Sequence, residues 1–239
     1  ACLLLRHLGE PAFAHSVTRL AAQVGMGKSG TYKLLKTMKE NNFVIQDVST
    51  RTYHLAPLVL RLGNVYNQYK GIQDIAEPLL SHISETTGKS AYLTLWEGDR
   101  AFPAYRKCPP GGLYGSYDFI GKCIPFNAGA SALVIFAYQP EHIQKDLLAQ
   151  FPLVQRTPKT IVDGHRLLEE CRRIRSAGYC VEDETFSPGV ISVAVPIFDR
   201  HDAVWASLSL ASTKDGNADA MLSRWVQVLS DGADELSYQ

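Results

Sequence analysis

The sequence predicts an α+β chain in two parts: a small helical domain closed by a hairpin, then a larger domain of mainly antiparallel sheet flanked by helices. At 239 residues the chain is longer than most single cores, so a small domain plus a medium one is the default expectation. Helical apolar spacing fills the first seventy residues, whereas strand-like segments stand on both sides of a helical middle in the remainder. Charge divides in the same place. Residues 1–70 carry nine Lys/Arg against Glu10, Glu40 and Asp47, a surplus of six, which leaves 15 basic against 21 acidic residues in the rest. A basic small domain can replace counterions along a phosphate backbone and an acidic one is repelled by it, so the two parts call for different partners.

Composition narrows the class further. With 46% hydrophobic and 20% charged residues the chain is of ordinary globular make-up, and no apolar run is long enough to cross a bilayer, so no membrane partner is expected. The five cysteines are odd in number and never form a C-x-x-C pair, and the seven histidines show no H-x-x-H spacing. Neither a disulfide framework nor a zinc site follows; a reducing cytoplasm fits, and no metal or cofactor is expected. Ala1 to Leu5 are apolar but lack a basic start, which reads as a helix entered partway, after a trimmed leader, rather than a signal peptide.

Ser16 can cap a helix whose apolar positions Val17, Leu20, Ala21 and Val24 follow the i, i+3, i+4, i+7 pattern, with Gly25 as its stop. Ser29 can cap a second helix with Thr31, Leu34, Leu35 and Met38 inward, ending near Asn41-Asn42. Its outward face carries Lys28, Ser29, Tyr32, Lys33 and Lys36, and its charges are all positive until Glu40. A solvated helix usually mixes signs; in a helix-turn-helix the N-terminal turns of the second helix meet base edges in the major groove. Two β-prone segments, residues 43–46 and 51–55, then form a hairpin, a wing whose tip places Arg51 to approach phosphate or minor groove. The reading is therefore a winged helix-turn-helix for double-stranded operator DNA, over residues 1–56.

Pro57 suits the first turn of a connecting helix, 57–71, with a broad apolar face of Leu58, Val59, Leu62, Val65, Tyr66 and Tyr69. The second domain, 72–239, opens on an amphipathic helix to Gly88. Strands follow over Ser90 to Trp96 and Arg100 to Lys107, then a Gly/Pro/Tyr-rich loop and small residues entering a helix Leu133 to Tyr138. Helices near 140–149 and 163–177, strands near 179–184, 190–198 and 203–211, and a helix over 217–237 complete it. Strands at both ends with helices between suggest one mainly antiparallel sheet.

Two segments together resemble the IclR family of bacterial transcription regulators. Gly27-Lys28-Ser29-Gly30-Thr31-Tyr32-Lys33-Leu34-Leu35-Lys36-Thr37-Met38 is similar to the family's P-K-S-T-x-x-R-L-L-x-T-L helix, departing at Gly27 and Gly30. Residues 175–184 and 189–199, RSAGYCVEDE and GVISVAVPIFD, are similar to R-x-x-G-Y-A-x-D-x-E-E and G-V-x-x-I-A-A-P-V-F-D. The resemblance implies a GAF-like effector domain with a loop-closed pocket, small organic acids as effectors, and homodimers or homotetramers on palindromic operators. Carried over by position, the effector residues are Ala130, Ser131, Glu182 or Asp183, Val190, Ser192 and Ser209. A family serine falls on Ala211, and a Gly-Lys pair falls on Ala132-Leu133.

Independently of the family, free amides at the start of a helix near Ala130-Ser131 favour an anion, with hydroxyls from Ser192 and Ser209. The same small residues can instead serve only to let the helix pack close to the sheet. Tyr92, Tyr105, Tyr114 and Tyr117 suit either a pocket lining or an ordinary core. Two other functions remain open at this point. The second domain can serve oligomerisation alone. An enzyme would have to assemble a nucleophile and base from Cys123, His142 and Asp163, or from Cys180 with Glu182, without a nucleophile elbow or phosphate loop to support it.

Overall fold

A computed structural model describes residues 1–10, 12–110, 122–214 and 218–237. Tyr114 and Tyr117 lie outside the described residues. Among the described residues no helix is long and apolar enough to cross a membrane. The chain splits into two compact units, Ala1–Gln73 and Asp74–Gln239.

The first unit runs α1 (Cys2–Leu8), α2 (Val17–Gln23), α3 (Lys28–Glu40), β1 (Val44–Gln46), β2 (Tyr53–Leu55) and α4 (Pro57–Lys70). Ser16 caps α2, its Oγ accepting the Arg19 amide at 3.3 Å. Gly25, at φ +64°, makes the turn that a side chain would strain. The cap of α3 is Gly27 rather than Ser29, which lies inside the first turn. Gly and Ser both suit a cap, and here the extended backbone of Gly27 ends the turn two residues earlier than expected. Thr31, Leu35 and Met38 recur at i, i+4 and i+7 and are buried, packing with Leu4, Leu8, Leu20, Val44 and Tyr53.

Strands β1 and β2 pair antiparallel through Ile45↔His54. Asp47 fixes their turn: its Oδ1 accepts the amides of Ser49 at 2.7 Å and Thr50 at 3.0 Å. Those bonds, with the Ser49 hydroxyl foremost, pull its pKa down to about 2. His15 extends the hairpin by exchanging both backbone hydrogen bonds with Tyr53.

The second unit holds α5 (Ile72–Thr87), β3 (Ser90–Trp96), β4 (Ala101–Lys107), α6 (Ala130–Tyr138), α7 (Glu141–Gln150), α8 (Gly164–Ala177), β5 (Cys180–Asp183), β6 (Val190–Phe198), β7 (Val204–Thr213) and α9 (Ala218–Leu236). Its sheet has the order β4-β3-β7-β6-β5 with every neighbouring pair antiparallel. One face carries α6 and α8. Residues 132–137 of α6 are all buried, and a helix apolar all round belongs in a core. The other face carries α9 beside α5: a Cβ on Gly232 would lie 3.0 Å from both Leu208 of β7 and Leu79 of α5. Helix α6 begins three residues before the expected Leu133, because Gly129, at φ +86°, turns the chain directly into it.

Candidate functional site

Helix α3 places its polar residues by angle. Lys28, Ser29, Tyr32, Lys33 and Lys36 fall within one broad stripe at about 100° per residue, opposite the buried Thr31, Leu35 and Met38, and all five are exposed. Lys36 reaches Glu40 only at 3.9 Å, with both side chains largely in water, a contact of little strength. Arg51 stands exposed in the hairpin turn at φ +56°, in the same unit. The chemistry available is phosphate neutralisation from lysines and arginine, with Tyr32 and Ser29 able to approach base edges.

The second unit contains a cavity of about 660 Å³, its open mouth included, between the sheet and the N-terminus of α6. Its floor follows from register. Ala194, Ser209 and Tyr92 lie in one row across β6, β7 and β3, and Glu182, Ser192 and Ala211 lie in the next toward one end. Pro196, Ser207, Thr94 and Pro103 form the row at the other end. Alternation along each strand turns these residues to α6, and two bonds fix the helix there: the Ala130 amide to Ser192 Oγ at 3.5 Å and the Ser207 hydroxyl to the Ser131 carbonyl at 2.9 Å.

Among the residues carried over from the family, Ala130, Ser131, Glu182, Val190, Ser192 and Ser209 all line this cavity. Asp183 does not. It pairs outside with Lys214 at 2.7 Å and Lys159 at 3.3 Å, as strand alternation requires of the neighbour of an inward residue. The helix amides are also less free than the sequence suggested: Gly129 N–H donates to Glu182 Oε2 at 2.6 Å, and Ala130 N–H is directed at Ser192. The amides of Ser131 and Ala132 keep the first-turn position in which no internal acceptor exists. Burial pushes the Glu182 carboxyl up to about 8; the Gly129 amide opposes that shift and Glu170 on α8 adds to it by repulsion.

Sequence reasoning missed Thr94 and the segment 185–187. Thr94 is fully buried, lines the cavity and leaves its hydroxyl without a partner, as does Thr185. Phe186 covers Gly129, 3.5 Å from where a Cβ would stand, and the Arg156 guanidinium lies over its ring at 4.6 Å. The segment is held from behind: Thr157 and Thr160 hydroxyls donate to the carbonyls of Glu184 at 2.7 Å and Thr185 at 2.5 Å. A TxxT spacing at 157–160 was the available signal. Of the tyrosines, Tyr92 lines the cavity and Tyr105 does not.

Of the residues considered for catalysis, Cys180 and Glu182 alternate onto the same face of β5, where Glu182 raises the thiol pKa further rather than activating it. Cys180 is buried, with its thiol pushed well above the ordinary range by desolvation. Asp163 is used as the cap of α8, accepting the Arg166 amide at 2.9 Å, and Cys123 is exposed. Among the described residues no group of His, Cys, Asp and Glu could hold a metal ion.

A family model described as bacterial transcriptional regulator IclR C-terminal matches residues 65–238, and an IclR helix-turn-helix domain matches residues 1–48. The HTH-type transcriptional regulator BhcR of Paracoccus denitrificans is 26% identical over 223 residues, 93% of this chain and 80% of that protein. A solved IclR-type regulator from Silicibacter sp. TM1040 is similar at 26% identity with a TM-score of 0.90, over 98% of this chain and 92% of its own. An IclR homologue from Microbacterium hydrocarbonoxydans, solved with 4-hydroxybenzoate, shares the fold at 16% identity with a TM-score of 0.74, over 94% and 90% of the two chains.

Proposed function

Since this chain belongs to the IclR family of bacterial transcriptional regulators, we propose that it binds operator DNA through α3 and the hairpin and responds to a small organic acid held in the cavity under α6. It is a regulator and not an enzyme, as its relatives are. In the proposed division of labour residues 1–56 bind DNA through Lys28, Ser29, Tyr32, Lys33, Lys36 and Arg51, 57–71 connect, and 72–239 sense and assemble. The setting is the cytoplasm, where operator DNA is.

The observation that carries the effector reading is Thr94: a fully buried hydroxyl with no protein partner, facing a cavity, is costly unless something in the cavity bonds to it. Two such unpartnered hydroxyls, Thr94 and Thr185, line the same cavity, which favours a ligand there over a domain serving assembly alone. The apolar body of Ile124, Phe186 and Val190 and the amide of Ser131 suit an acid with an apolar middle. The same fold houses 4-hydroxybenzoate in the Microbacterium protein, so an acid of that size is compatible with it. Assembly as homodimers or homotetramers is supported by α4, whose Leu62, Val65 and Tyr66 are 45%, 56% and 49% exposed.

A thermal-shift series of aromatic and hydroxylated acids, each beside its amide, tests the effector reading. A binding acid at a hundred times its dissociation constant stabilises by roughly 2.7 kcal/mol and raises the melting temperature, and its amide does so less. Equal shifts for acid and amide remove the anion requirement; no shift with any acid removes the effector reading.

A further inference from the structure

The charged groups around the cavity are one-sided. Among the described residues lining it none is Lys, Arg or His, and the one ionisable carboxyl is Glu182, 5% exposed. Of the nearby cations, Lys159 and Lys214 hold Asp183 and Glu184, Arg156 lies over the ring of Phe186, and Arg106, opposite Tyr92 on the edge strand β4, is not among the lining residues. Facing Glu182 from the other elements are the Gly129 amide ahead of α6, the Ser192 hydroxyl across β6, Glu170 from α8, and Cys180 on its own strand. None of these neutralises a carboxylate beyond one amide bond. An ionised Glu182 would meet an anionic effector as a second buried negative charge, an arrangement that forces a proton onto one of the two.

The hydrogen bond already made says where that proton goes. Glu182 Oε2 accepts from Gly129 N–H, the role of the carbonyl oxygen in a neutral acid, which leaves Oε1 as the hydroxyl. We propose that Glu182 recognises the effector by donating its carboxyl proton, so that an anionic effector and one proton are bound together. This rests on the reading of the cavity as the effector site and adds what that reading lacked: a charged ligand is accepted without a basic side chain among the described lining residues. The effector carboxylate takes the Oε1 hydroxyl and the first-turn amides, and the site as a whole carries one negative charge rather than two. The carboxyl's high affinity for its proton, to about pH 8, keeps it loaded under ordinary conditions. Above that pH, effector binding must first take a proton from solvent, and affinity falls by about tenfold per pH unit.

The test uses benzoate as probe, which stays ionised throughout, with calorimetry on the full chain from pH 6 to 9 in two buffers of different ionisation heat. Flat affinity without proton uptake at pH 6, and tenfold loss with uptake approaching one proton per site by pH 9, are expected. Glu182→Gln gives an affinity that no longer varies with pH and takes up no proton. Carbon-13 titration of the glutamate carboxyls in the ligand-free chain, which needs no variant, gives one carboxyl still protonated at pH 7. Uptake-free binding at pH 9, or a Glu182 carboxyl ionised at pH 6, overturns the proposal. Failure of benzoate and of the wider acid series to bind at any pH sinks the effector reading itself, and the proton coupling with it.

Discussion

Glu182 and Asp183 are consecutive acidic residues on one short strand with opposite fates. The first is buried over α6 with a pKa near 8, and the second is held below the usual carboxylate range by Lys214 and Lys159. The sequence left the choice between them open, because strand alternation guarantees that one points inward but not which. Thr94 was illegible for a related reason: residues 90–95 are buried on both faces, so no polar alternation marks the pocket side. For Glu182 the folded pKa stands above the ordinary 4.5, so the native state holds a proton that the unfolded chain has released between about pH 5 and 8. Stability is therefore full below that window and declines as pH rises through it, by at most about 5 kcal/mol for a shift of this size. All three tryptophans lie in the second unit, so urea unfolding followed by tryptophan fluorescence reads that unit. The parent chain is expected to lose stability from pH 5 to 9 more steeply than Glu182→Gln; parallel slopes would argue against a buried neutral acid.

At the level of elements, amphipathic helices were the most legible part. The inward positions of α3 follow from spacing alone, and its cap did not, since Gly27 and Ser29 are both acceptable caps and only backbone conformation separates them. The helix α6 was legible as an apolar run, but its start was hidden in small residues whose turn depends on Gly129. The segment 185–187 read as a gap between strands because what fixes it, the Thr157 and Thr160 hydroxyls, lies some 25 residues away. Helix α4 presents the opposite case: its apolar stripe was visible at once, and in the single chain it stays exposed at Leu62, Val65 and Tyr66. An apolar helix face left in water favours burial against another copy. The expected outcome is a dimer or larger in sedimentation at micromolar concentration, dissociating in a Leu62→Glu, Tyr66→Glu variant. A parent chain that sediments as a monomer, with and without DNA, contradicts the assembly reading.

For the molecule as a whole, a net charge of zero conceals a basic first unit and an acidic second one, and function follows that division. The first can lie on a polyanion; in the proposed reading the second admits an anion through oriented amides and a carboxyl that keeps its proton. A regulator needs the two to be coupled, so that occupancy of the cavity changes affinity for DNA, and by reciprocity DNA changes affinity for the effector. The most direct measurement is fluorescence titration of a duplex that the chain itself has selected from a random-sequence pool, at several salt concentrations, with and without a saturating acid from the thermal-shift series. Tight binding that weakens steeply with salt is expected, with a flatter salt slope and at least tenfold weaker binding for a Lys33→Ala, Lys36→Ala, Arg51→Ala variant, and a several-fold change in affinity when the acid is added. Unchanged affinity and slope in the triple variant, together with an acid that leaves DNA binding untouched, would contradict the account.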